Sequence, residues 1–63
     1  MNLIKTLKDS HNHTIGYIYD NGDKLVIEDE NHRRKGFYEK NKDQTRDDSN
    51  RLIGQGNLLV TLL

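Results

Sequence analysis

Cysteine is absent from this 63-residue chain. Without it there are no disulfides, no thiolate nucleophiles and no cysteine-based zinc or iron–sulfur site. Alanine, the strongest helix former, is also missing, which argues against a helical fold. No long apolar run occurs near the start: Leu3-Ile4 and Leu7 are interrupted by Lys5 and Lys8, so the stretch reads neither as a signal-peptide core nor as a membrane span. A soluble, cytoplasmic protein is the resulting expectation. Charge of one sign is missing as well. Ten basic residues cancel ten acidic ones, leaving no overall excess to attract a phosphate backbone or an anionic membrane.

Hydrophobic residues make up only 32% of the chain, but they are clustered between polar turns, as in a folded domain. The length supports one domain, residues 1–63, with a core so small that it needs very regular packing or oligomerisation to hold. Asn recurs at positions 12, 21, 31, 41 and 50 within polar runs, and Asn both tolerates left-handed backbone and closes turns with its side chain. Turns about ten residues apart predict short strands. These fall at Leu3–Lys8, Thr14–Tyr19, Lys24–Glu28, Lys35–Glu39, Gln44–Asp47, Leu52–Gln55 and Leu58–Leu63. Strict alternation places Ile15, Tyr17 and Tyr19 on one face and Gly16 and Ile18 on the other, and Asn21-Gly22 predicts a type I′ hairpin into Leu25-Val26-Ile27.

Three segments follow a common plan: Leu7–Asn12 leading to Ile15-Gly16-Tyr17, Ile27–Asn31 leading to Gly36-Phe37-Tyr38, and Arg46–Asn50 leading to Leu52-Ile53-Gly54. Acidic turn residues recur at Asp9, Asp29 and Asp48 and in-strand glycines at Gly16, Gly36 and Gly54, a period of roughly 20 residues. The fold expected is all-β: about three copies of an antiparallel hairpin unit around a shared core. Glycine at equivalent strand positions points to a bulge, a bend or a close backbone approach.

Thr14-Ile15-Gly16-Tyr17-Ile18-Tyr19-Asp20, with looser copies at Lys35-Gly36-Phe37-Tyr38 and Leu52-Ile53-Gly54-Gln55, resembles the small bacterial domains of the four-fold β-flower family. The resemblance spans nearly the whole chain and implies radiating hairpins with no catalytic residues to carry over. Three copies stand here where that family's name implies four. The missing quarter is either supplied by Leu3–Leu7 with Leu58–Leu63 or closed by association.

Leu58, Leu59, Val60, Leu62 and Leu63 crowd the last six positions, in a segment that is either a final strand or a short helix capped by Asn57. With so small a core elsewhere, the sequence reading favours these leucines and the valine as an oligomer seam. The function expected is therefore a non-enzymatic structural or protein-interaction module that forms a homo-oligomer. A second reading takes Arg33, Arg34 and Lys35, with Phe37, Tyr38 and the tyrosines at 17 and 19, as a face for single-stranded nucleic acid. Against it, Glu28-Asp29-Glu30 just upstream offers cross-strand partners for the basic run. A third reading gathers His11, His13 and His32 around a metal, although these histidines lie in turns where alternation is not assured. Acidic pairs such as Asp47-Asp48 lack the spacing of a calcium loop, and Gly54-Gln55-Gly56 lacks the glycine and the helix of a phosphate cradle; no catalytic residue and no cofactor is expected.

Overall fold

Polar runs separate six strands in a computed structural model that describes residues 1–63: β1 (Asn2–Lys8), β2 (Thr14–Asp20), β3 (Lys24–Asp29), β4 (Arg34–Glu39), β5 (Gln44–Asp47) and β6 (Leu52–Gln55). They form one antiparallel sheet in sequence order, with β1 and β6 as open edges. The fold is all-β, and the single exception to strand and turn is a 3-10 turn over Leu59–Leu62.

One turn design recurs at the same end of the sheet. In each case the Asp carboxylate accepts the backbone N–H groups two and four residues on, at 2.8 to 3.0 Å: Asp9 from His11 and His13, Asp29 from Asn31 and Arg33, Asp47 from Ser49 and Arg51. The residue three positions after the Asp is left-handed (Asn12 φ 65, His32 φ 63, Asn50 φ 66) and donates its N–H to the Asp carbonyl. Asn and His are among the residues that tolerate this region best. The third turn is therefore built on Asp47, with Asp48 beside it. In the middle turn His32, not Asn31, takes the left-handed place.

A bulge follows each of these turns. Ile15, Lys35 and Ile53 are the extra residues where the ladders slip, each immediately before a glycine. An extra residue breaks the alternation of faces, so Ile15 packs with Ile18 against the core instead of sharing a side with Tyr17 and Tyr19. The bulge also sharpens the local bend and brings backbones close. A Cβ on Gly16 would sit 2.6 Å from the Glu28 carbonyl oxygen, and one on Gly36 would strike the Arg46 carbonyl.

At the other end of the sheet the β2–β3 turn is tight but not type I′. That type needs left-handed φ at both central residues, whereas Gly22 is left-handed (φ 89) and Asn21 is not. Asn21 donates its N–H to the Lys24 carbonyl, and the Asp20 side chain closes the turn on the Gly22 N–H.

The core occupies one face of the sheet, where Leu7, Ile18 and Ile27 meet Leu59, with Ile15, Leu25, Tyr38 and Leu62 around them. Leu58–Leu63 is neither a strand nor an α-helix. After the left-handed Gly56 the chain leaves β6 and crosses this face as the 3-10 turn. Asn57 does act at its start, accepting the Leu59 N–H at 3.2 Å. Leu63 lies over Gly16, Leu62 over Gly36 and Leu58 over Gly54, each leucine filling the space where a strand side chain would stand. Thr45, fully buried on β5, fixes the crossing: its hydroxyl donates to the Gly56 carbonyl at 2.6 Å and accepts the Leu58 N–H at 2.9 Å.

Two stability predictions follow from this packing. Gly36→Ala sets a methyl group against backbone that cannot swing aside, and should cost about 2–3 kcal/mol, whereas Gly54→Ala meets only the tip of Leu58 and should cost about 1 kcal/mol or less. Chemical denaturation ranks the two; equal losses would mean that the backbone beside Gly36 yields as readily as the Leu58 side chain over Gly54. Thr45→Val keeps the shape but strands the Leu58 N–H and Gly56 carbonyl, and should cost about 1–3 kcal/mol, with faster hydrogen exchange across Leu58–Leu63 as its local signature.

Candidate interaction surfaces

The basic run lies on the exposed start of β4 and is largely engaged within the chain. Arg34 pairs with Asp48 at 3.0 Å and lies over the Phe37 ring at 5.4 Å, while the Lys35 ammonium is 3.9 Å from Asp29. Arg33 is exposed and forms no ion pair. A cross-strand charge pattern does form here, but Glu28 turns to His32 and Arg34 to the neighbouring turn.

The aromatics named with that run are occupied too. Phe37 is buried on the outer face opposite Val26, with the Lys24 ammonium 4.7 Å above its ring. Tyr38 is on the core side and donates its hydroxyl to Asp43 at 2.6 Å, which holds the phenol above its ordinary pKa. Tyr17 is stacked on His32 at 4.5 Å with the rings 8° apart.

His32 belongs to the β3–β4 turn, whereas the other two histidines lie between β1 and β2. His11 and His13 are 6.3 Å apart, ring centre to ring centre, at the first turn, and His13 is 3.9 Å from Asp9. No three His, Asp or Glu side chains converge in a way that would hold a metal ion.

The five apolar residues of the last segment divide. Leu59 is fully buried and Leu58 and Leu62 partly so, all against this chain's own sheet, whereas Val60 and Leu63 remain exposed. Val60 and Leu63, with Ile15, form the apolar lining of an open cleft of about 500 Å³ whose other residues are Asp29, Glu30 and Lys35. A second apolar region lies on the edge strand β1, where six of seven residues are exposed and Leu3 and Ile4 are 51% and 54% accessible. Leu52 and Ile53 are exposed on the opposite edge.

Neither Leu3-Ile4 nor Ile15 with Glu30 stands out as a site in the sequence. An apolar pair on a strand is half-buried by default, and only the strand order shows that β1 has no neighbour on one side. Comparison with protein-family models, with curated proteins and with solved structures finds no match to this chain. No helix is long and apolar enough to cross a membrane.

The turn carboxylates set a pH dependence. The Arg33 and Asn31 N–H groups, with Lys35 nearby, hold the Asp29 carboxyl below its ordinary pKa, and the Lys40 ammonium with the Gly22 N–H does the same for Asp20. A carboxyl whose pKa is lowered by folding adds stability at pH values above its ordinary range, and that contribution is lost as pH falls through the folded value. Thermal midpoints should therefore fall as the solution is acidified below the ordinary Asp range. Asp29→Asn keeps an acceptor oxygen but cannot titrate, so its acid limb should be shallower; an unchanged limb would show that this turn does not contribute.

Proposed function

We propose that this chain is a non-enzymatic interaction module that associates with copies of itself through its exposed sheet edge. The observation that carries the reading is β1: seven residues long, unpaired on one side, and bearing two exposed apolar residues, Leu3 and Ile4. Natural edge strands are usually short, charged or covered. Here β6 meets that description, with four residues and the chain turning away at Gly56, while β1 meets it in part through Lys5, Lys8 and an irregularity at Ile4, where its ladder with β2 slips. A chain of this size gains proportionally more than a large one from covering such surface in an assembly.

The apolar run at Leu58–Leu63 enters this reading in altered form. Leu59 belongs to the protomer core, so replacing it by a charge tests folding, whereas Val60 and Leu63 remain available to a second copy. The basic run supports a nucleic-acid surface less well, because Arg34 and Lys35 are paired and Phe37 is buried.

Light scattering over a dilution series should give a mass above that of one chain that falls on dilution. The double variant Leu3→Lys/Ile4→Lys should shift the midpoint of dissociation to at least tenfold higher concentration with an unchanged circular dichroism spectrum. A wild-type protein that is monomeric at every concentration overturns the reading.

A further inference from the structure

The chain's ion pairs leave few charges over. His13, His32, Arg34, Lys35, Lys40, Lys42, Arg46 and Arg51 all face carboxylates; of the charges outside these pairs, Lys24 lies over Phe37 and Asp43 accepts the Tyr38 hydroxyl, which leaves Lys5, Lys8, Arg33, Asp23 and Glu30. Lys5 follows Leu3 and Ile4 on β1, and Lys8 ends the strand. Glu30 lines the cleft whose apolar residues are Ile15, Val60 and Leu63, and with Asp29 and Lys35 it gives that cleft a net negative charge. One surface is therefore apolar and basic, the other apolar and acidic.

Within one chain Leu3 and Ile4 cannot reach this cleft, although Lys8, opposite Thr14, ends the strand beside Ile15. Asn2 pairs with Asp20, so β1 begins at the end of the sheet that holds the Asn21–Asp23 turn, whereas Asp29 and Glu30 lie in the turn region at the other end. A seven-residue strand covers roughly 23 Å at about 3.3 Å per residue, which separates Leu3 and Ile4 from their own cleft.

We propose that the cleft of Ile15, Glu30, Val60 and Leu63 receives the apolar, basic edge strand β1 of a second copy of this chain. Leu3 and Ile4 cover the apolar lining, and the lysines compensate Glu30 at the rim. The contact joins two different patches, not one patch to itself. Rim charges of this kind act mainly on association rate and salt dependence, so the interaction weakens as salt rises. The inference rests on the self-association proposed above and specifies its second surface.

Complementary charge reversal tests it. Glu30→Lys alone and Lys5→Glu/Lys8→Glu alone should each weaken assembly roughly tenfold at low ionic strength, and an equimolar mixture of the two should recover it, because each cleft then faces an edge strand of opposite charge. Val60→Asp, at a side chain 60% exposed, should weaken assembly without altering the fold seen by circular dichroism. If the wild type assembles but the reversed variants assemble equally well, or the mixture fails to recover, the cleft is not the partner surface although self-association stands. If the wild type never assembles, both readings fall.

Discussion

A single six-stranded sheet has two faces and no second layer, so its stability depends on what covers the core face. In this chain the covering is one short segment, and it can lie close enough only because Gly16, Gly36 and Gly54 hold no side chains beneath Leu63, Leu62 and Leu58. Each glycine would normally weaken a strand. Here the loss is offset by a leucine seated in the gap, and the Thr45 hydroxyl fixes the segment so that the three leucines stay in register with the three gaps. Burial of a leucine is worth about 1.5–3 kcal/mol, a large fraction of the net stability of a domain this small.

The turns and bulges make that arrangement repeatable. Asp9, Asp29 and Asp47 are followed at the same intervals by a left-handed residue, a bulged residue and a glycine, so the bend occurs at the corresponding place in each hairpin. The Asp side chain supplies acceptors for N–H groups that no ladder can reach. The result is a sheet whose curvature is built from local hydrogen bonding, before any side chain packs.

Those local rules explain what is legible in the sequence. Asn-rich punctuation marks all six strands to within a residue or so, because turn chemistry is short-range and strand length is set by turn spacing. The recurring glycines are visible too, and so is a need for a bulge or close approach. Placing the third turn residue at Asp48 instead of Asp47 overlooks the spacing to the following glycine, which is the same from Asp9, Asp29 and Asp47 and one residue shorter from Asp48. The side on which Ile15 packs is lost for a related reason: alternation holds only until a bulge, and Gly16 signals one nearby without showing that Ile15 is the extra residue. Leu58–Leu63 reads as a strand or helix because five apolar residues fit either, while its actual conformation is dictated by the spacing of three glycines on other strands.

Surface assignments depend on tertiary order to a greater degree. The same five residues that read as an oligomer seam are divided by the fold: Leu58, Leu59 and Leu62 are covered on the sheet, Leu63 is seated over Gly16 but stays 41% exposed, and Val60 faces outward. Arg34 and Lys35 read as a free cationic run until Asp48 and Asp29 are brought beside them across strands. Conversely, Lys5, Lys8 and Glu30 look like ordinary solubilising charges in the sequence and become distinctive only because the fold leaves them without ion pairs beside exposed apolar residues. What distinguishes a binding surface on so polar a chain is an unmatched charge that adjoins exposed apolar side chains once the intramolecular pairs are drawn. By that criterion the open edge of β1 and the cleft beside Val60 stand apart from the rest of the molecule.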